Sequence, residues 1–151
     1  MAVTPIDSTG ATIKLKAKAG SADAVEMECV DGDISIDFGN ADVSANTCLK
    51  GITRKSKGVL KYGEGNLNGV FQDDDGAQTL LLQALKNEGD FSTDHTLSIE
   101  IEFANSKGSN GTKVSFDVLV SSLNIKVAEG NEVSMEVGYS QTTEPVITAA
   151  A

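Results

Sequence analysis

Residues 96–103 read TLSIEIEF, in which apolar and polar side chains alternate without interruption. Such an alternation with a period of two predicts a β-strand that buries one face and exposes the other to water. The buried face would carry four large apolar residues, namely Leu97, Ile99, Ile101 and Phe103. This segment therefore predicts a β-rich domain.

The same pattern continues towards the C-terminus. Residues 113–120 alternate again, residues 123–127 continue the pattern, and residues 133–139 form the last predicted strand. Acidic side chains fall on the polar face of these strands and form a candidate acidic lining or polar strand face: Glu100, Glu102, Asp117, Glu132 and Glu136. A solvated face that keeps the domain soluble is the simpler interpretation. A negative wall that repels a polyanion is the functional one.

Towards the N-terminus, residues 11–18 and 24–30 also alternate. Asp31, Gly32 and Asp33 then predict a tight turn, because Asp-Gly readily adopts the positive φ of a hairpin. The alternation resumes over residues 34–38. These segments predict further antiparallel strands.

One segment departs from this pattern. Residues 73–89, DDDGAQTLLLQALKNEG, predict a single helix over about residues 76–87. Asp75 is the expected N-cap, with Gln78 three residues later in a capping-box arrangement. Leu81, Leu82 and Leu85 would form its apolar stripe, and Gly89 would end it. Capping also explains the three aspartates without a calcium site, since they lack the EF-hand spacing.

The stretch from residue 39 to about residue 66 is polar and weakly patterned, and it predicts a long loop. It contains five of the twelve basic residues: Lys50, Arg54, Lys55, Lys57 and Lys61. A flexible solvated loop is the simpler interpretation. The functional interpretation is a charged arm that docks onto an acidic neighbouring copy of the same chain.

Composition excludes several classes of protein. The 151 residues include 22 acidic and 12 basic side chains, and the formal net charge of −10 argues against a free nucleic-acid binder. With one histidine, His95, and two cysteines, Cys29 and Cys48, the chain offers no metal-binding motif, so we expect neither a metal nor another cofactor. Reduced thiols are favoured for the cysteines, although a disulfide stays open. No nucleophile and base form a recognisable pair, so we expect no enzyme, and no stretch predicts membrane insertion.

About seven strands and one helix predict a mainly β domain, a β-sandwich or small barrel with the helix on its side. At this length we expect residues 1–151 to form one domain with flexible termini.

From Gly65 onward, short motifs follow one another in a particular order. They are Asn68-Gly69-Val70-Phe71, the acidic turn 73–78, the segment Leu80–Leu85 with Asn87-Glu88-Gly89, Val120-Ser121-Ser122-Leu123 and Thr143-Glu144-Pro145-Val146. Their order and spacing resemble the tail tube proteins of long-tailed bacteriophages over about two-thirds of the chain.

The resemblance implies a structural subunit of the virion tail. Such subunits form rings, usually hexameric, that stack into a tube through which the genome is ejected. The resemblance further implies that the long loop and the termini contact neighbouring subunits or rings. Its implied partners are copies of the same chain, the tape measure, tail tip or terminator proteins, and double-stranded DNA that passes without specific binding. It also implies assembly in the host cytoplasm.

The alternative is a β-sandwich binding module, such as a capsid decoration or adhesion protein. Sugar-binding modules usually present exposed aromatic platforms, and this chain has no Trp and only two Tyr.

Overall fold

The computed structural model describes residues 11–20, 23–27, 30–31, 34–47, 51–71, 76–103, 112–130 and 133–148. Within these ranges the chain forms one α-helix, α1 (Gly76–Lys86), a short 3-10 turn (Gly89–Phe91) and ten strands. The strands are β1 (Thr12–Ala17), β2 (Val25–Met27), β3 (Val30–Asp31), β4 (Val43–Thr47), β5 (Thr53–Lys57), β6 (Glu64–Val70), β7 (Leu97–Glu102), β8 (Lys113–Lys126), β9 (Ser134–Gln141) and β10 (Val146–Thr148).

Seven of these strands form one antiparallel sheet in the order β2-β1-β7-β8-β9-β6-β3, and β10 joins it by pairing with β8. Strands β4 and β5 form a separate hairpin. The predicted mainly β fold with one flanking helix is confirmed.

Strand β8 is the longest described strand, with 14 residues, and its neighbours change along its length. On one side, β7 pairs with it only from Lys113 to Val118. On the other side, β10 pairs with its first residues and β9 pairs with it from Val118 to Lys126. Among the described residues, one edge of β8 is therefore unpaired over residues 119–126. A register shift between Val120 and Ser122 marks a β-bulge in this half.

The core lies between α1 and one face of the sheet. Ala77, Leu81 and Ala84 of the helix are buried together with Phe91 and the inward side chains of the strands. Those inward side chains include Leu15, Leu67, Ile99, Phe116, Val118 and Val137. Burial of this apolar surface is the main stabilising contribution.

The helix lies where the sequence predicts it, but its buried stripe differs. Leu81 is buried and Leu85 is partly buried, whereas Leu82 is 41% exposed because it points away from the sheet. The helix ends at Lys86, and Asn87 adopts a left-handed φ of 57° directly after it. Gln78 is buried in the helix. Asp75 lies outside the described residues, so the Asp75–Gln78 cap stays a prediction.

The structure differs from the sequence-based expectation in three other segments. Residues 34–38, predicted as a strand after a turn at residues 31–33, are not a strand. The predicted strand 24–30 is represented by β2, which pairs with β1, and by the first residue of β3, which pairs with β6. The segment 39–66, expected to be a loop, contains the β4–β5 hairpin and the start of β6. Residues 113–126 form one continuous strand. Pairing between distant segments, which local pattern does not encode, decides the first and third cases. The strands of the β4–β5 hairpin were missed because they have no buried face that would impose an apolar alternation.

Gly65 provides a test of the packing between β6 and β9. It pairs with Tyr139, and a Cβ at position 65 would lie 2.6 Å from the ring atom Cζ of that buried tyrosine. We expect Gly65→Ala to lower the free energy of unfolding by about 1–3 kcal/mol, because the ring has to shift within a packed core. Urea denaturation measures this.

The matched control is Gly58→Ala, where a Cβ would approach no described atom closer than 3.5 Å, an ordinary van der Waals distance. An unchanged denaturation midpoint for Gly65→Ala would contradict the close packing described here.

Candidate assembly surfaces

Strands β4 and β5 form an exposed two-stranded hairpin, which we call the arm. Every residue of both strands is exposed. Two hydroxyl pairs cross the ladder, Ser44 with Ser56 at 2.8 Å and Thr47 with Thr53 at 3.2 Å. A hairpin without a buried face is only marginally stable in water, so this arm is a candidate contact with another molecule.

The register divides the predicted basic cluster between the two faces of the arm. Lys55 pairs with Ala45 and Lys57 pairs with Val43, so these two lysines share a face. Arg54 pairs with Asn46 and lies on the opposite face.

Lys61 lies at the base of the arm, where its ammonium is 3.7 Å from the Asp42 carboxylate. Lys50 lies outside the described residues. The structure therefore brings together Lys55 and Lys57, but not the whole predicted cluster.

The sequence did not predict the base of the arm, formed by residues 37–40 and 61–63, which we call the neck. Two segments flank the arm, one leading into it and one out of it. Hydrogen bonds of Asp37 and Gln141 connect both segments to the end of β9. These residues are 104 positions apart, and neither belongs to a recognisable motif. No local signal in the sequence could have paired them.

The sheet face opposite α1, which we call the polar face, carries charges of both signs. Lys14 lies directly between Glu26 and Glu100 on the neighbouring strands, and Glu102 lies opposite Lys113. Lys113 is 3.8 Å from Glu100, and Lys126 is 3.4 Å from Glu136. The described acidic candidates thus share this face with lysines, and Glu132 lies outside the described residues. Cross-strand pairs of opposite charge stabilise a sheet modestly.

Asp117 is the most connected acidic candidate. Its carboxylate accepts a hydrogen bond from Lys18 Nζ at 2.9 Å and another from the Ser98 hydroxyl at 2.8 Å. Its backbone N–H donates to Thr143 Oγ1, and its carbonyl accepts from the backbone N–H of Thr142. The hydrogen bond and the charge of Asp117 raise the pKa of Lys18. Asp117 therefore ties β1 and β7 to the segment after β9 rather than presenting a free charge.

The other half of the polar face is lined mainly by amides and hydroxyls. Two adjacent polar depressions share Asn66, Ser122 and Gly138, and the second also includes Asn68, Asn124 and Glu136. Gly138 has no side chain and so leaves room for the Ser122 hydroxyl between the strands, since a Cβ at position 138 would lie 2.5 Å from that oxygen. This half is hydrophilic without a dense charge.

The described residues outside these surfaces offer little for catalysis or metal binding. His95 has its Nδ1 2.6 Å from the carbonyl oxygen of Phe91, a structural contact. Hydrogen bonds from Thr96 hold the pKa of Asp94 below its ordinary value, and burial raises the pKa of Tyr139.

In the described ranges, no three His, Cys, Asp or Glu side chains group as a metal site would require. No described helix is long and apolar enough to cross a bilayer.

The Lys18–Asp117 pair leads to a test of the polar face. In the folded protein the Lys18 pKa is raised above 10.5, so the pair contributes to stability below pH 10.5 and this contribution is lost as the pH rises through the folded pKa. We expect Asp117→Asn to return the Lys18 pKa towards 10.5, as measured by NMR titration of the ammonium. We also expect it to lower the urea midpoint at pH 7.

Glu136→Gln is the matched control, because the Glu136–Lys126 pair is more exposed and longer, at 3.4 Å. Equal midpoints for the two variants would argue against the tying role of Asp117.

No protein-family model and no curated protein matches the sequence. A chain of the sheath–tube complex of an extracellular contractile injection system, in its extended state, matches with a TM-score of 0.66 at 14% identity, covering 97% of this chain and 93% of that chain.

The SPP1 tail tube matches with a TM-score of 0.67 at 9% identity, covering 96% of this chain and 80% of that chain. The tail of a gene transfer agent particle, refined with C6 symmetry, matches with a TM-score of 0.60 at 18% identity, covering 95% and 98%. At these sequence identities the matches show the fold alone. The resemblance found in the sequence is confirmed at that level, and the chain has the tail tube fold over nearly its whole length.

Proposed function

We propose that this chain is a non-enzymatic structural subunit of a tail tube, assembled as stacked, hexameric rings that form a conduit for genome ejection. The observation that carries the proposal is the combination of the tail tube fold with a sheet that is incomplete in the single subunit. Residues 119–126 of β8 have no described partner on one side, and the arm contacts solvent on both faces.

The free edge of β8 supports ring formation. Unpaired N–H and C=O groups along a strand readily pair with another chain. Leu119 and Ile125 on this half are 41% and 47% exposed, so a neighbouring copy would also cover apolar surface. A contact between this edge and a different edge of the next copy is heterologous, and such contacts close into rings when the rotation allows. Six copies per ring would match the symmetry of the gene transfer agent tail.

The arm supports contacts between copies of the chain. Lys55, Lys57 and the 65% exposed Val43 share one of its faces, whereas Arg54 lies with serine and asparagine side chains on the other. A second copy of this chain is acidic, with a formal charge of −10, and it is complementary to the two lysines. We assign the lysine face of the arm to docking against a copy in the same or the adjacent ring.

We place the polar face towards the lumen, because α1 and the core cover the other face of the sheet. The described part of this wall mixes charges of both signs with amides and offers no basic patch that would bind DNA phosphates. Repulsion of DNA would then come from the negative charge of the whole subunit rather than from a uniformly acidic lining. Tape measure, tail tip and terminator proteins are the further partners of such a tube, within a virion tail assembled in the host cytoplasm.

Electron microscopy of the purified, concentrated chain tests the proposed function. We expect rings or tubes with six-fold symmetry and an open lumen, because the β8 edge and the arm need partners. Sedimentation velocity on the same sample measures the fraction assembled. A chain that stays monomeric at all concentrations would contradict the proposal and favour the binding-module alternative.

A matched pair of charge reversals tests the assigned face of the arm. Lys55→Glu and Arg54→Glu change the charge equally at adjacent positions on opposite faces. We expect Lys55→Glu to raise the critical concentration for assembly about tenfold and Arg54→Glu to change it much less. The wild-type critical concentration should also rise with salt, which screens exposed charges. Equal effects of the two substitutions would show that the lysine face has no special role.

A further inference from the structure

Gln141 is a buried polar side chain at the end of β9, with only 6% of its surface exposed. Its Oε1 accepts a hydrogen bond from the backbone N–H of Asp37 at 3.2 Å. Its Nε2 donates to the carbonyl oxygens of Asp37 and Thr143. The backbone N–H of Gln141 donates to the carbonyl of Gly63 at 3.0 Å. One residue of the sheet thus holds both segments of the neck.

The Asp37 carboxylate completes the connection. Its Oδ1 accepts from the backbone N–H of Gly39 at 2.8 Å, where the chain leaves for the arm. Its Oδ2 accepts from the backbone N–H of Gly63 at 2.7 Å, where the chain returns. Just beyond, Asn40 and Lys61 exchange two backbone hydrogen bonds of 2.7 Å each. Hydrogen bonds to an ionised carboxylate are stronger than neutral ones, so the two ends of the arm are held together firmly.

Two glycines allow the neck to close around this carboxylate. Gly39 has a φ of 108°, which residues with a side chain rarely adopt, and a Cβ there would lie 3.2 Å from Leu60. A Cβ at Gly63 would lie 3.1 Å from Asp37 Oδ2. The backbone at Gly63 is therefore close to the carboxylate, and Gly39 provides the positive φ on the other side of the neck.

We infer that Asp37 and Gln141 form a clasp that fixes the direction of the arm relative to the sheet and thereby positions it for docking onto a second copy. The inference rests on the proposed function for its docking part only. The exposed strands of the arm supply no packing that could orient it, so orientation has to come from the neck. Docking of an arm that is already oriented loses less conformational entropy than docking of an arm that is free to move.

Asp37→Ala and Gln141→Ala test the clasp, with Asp42→Ala as the matched control. Asp42 carries the same carboxylate on the arm side of the neck, but its side chain is exposed and its carboxylate contacts Lys61 at 3.7 Å, whereas the 2.8 Å hydrogen bond from Gly58 goes to its backbone carbonyl and is retained in the alanine variant. Hydrogen exchange of the unassembled chains, followed by mass spectrometry, measures directly how often the hydrogen bonds of the neck open. We expect at least about tenfold faster exchange of the amides in residues 39–63 for both clasp variants, with β7 and β8 unchanged. The control should exchange like the wild type.

Assembly is the second readout. We expect both clasp variants to raise the critical concentration for tube formation at least about tenfold, while Asp42→Ala stays near the wild type. Asp37→Asn retains one carbonyl acceptor and should recover part of the loss. If Asp37→Ala fails to fold, Asp37→Asn and Gln141→Ala carry the test.

Wild-type exchange of the neck in a folded Asp37→Ala variant would overturn the clasp. Equal assembly defects in Asp37→Ala and Asp42→Ala would overturn the positioning role, because loss of charge alone would then explain them. A wild-type chain that forms no tubes would refute the proposed function and the docking part of the inference. The exchange comparison would still decide whether the clasp orders the neck.

Discussion

Among the described strands, pairing along β8 changes from two-sided to one-sided near Val118, and both the fold of the subunit and its proposed assembly depend on this change. In the first half, β7 on one side and β10 on the other enclose the strand, and its inward side chains pack in the core under α1. In the second half only β9 pairs with it among the described strands. A long unpaired edge with exposed apolar side chains promotes uncontrolled association unless a defined partner covers it. The strand that organises the fold therefore also creates the need for a neighbour.

Antiparallel pairing distributes charge differently from the linear sequence. Lys14 and Lys16 come early in the chain, yet the sheet places them on the face that carries Glu100 and Asp117. Several acidic residues there lie close to lysines, so the opposite charges partly cancel beyond the pair. The described part of the polar face therefore carries lysines beside its carboxylates, and the net charge of −10 belongs to the chain as a whole.

The elements that could be predicted are those whose signal is local. Residues 96–103 and the helix after residue 75 have strong periodicity, and both form where expected. The arm was missed because its strands are short, polar and exposed, so no buried face imposes an apolar alternation on them. Ile125 follows the apolar pattern but is exposed, because the core does not extend to the end of β8. Asp37 and Gln141 meet only through the fold.

The polar surface of the arm and the hydrogen-bonded neck have complementary consequences for the proposed docking. An apolar arm would bind its partner strongly, but it would also make the free subunit prone to aggregation before assembly. The polar arm avoids such an apolar surface, and in the proposed assembly its docking depends on a few charges and on the correct approach. Each exposed charge pair contributes little in water, so loss of orientation would easily outweigh it. The hydrogen bonds of Asp37 and Gln141 lie inside the subunit, so in the proposed assembly the ordering of the neck is completed by folding and does not weaken the contact between copies.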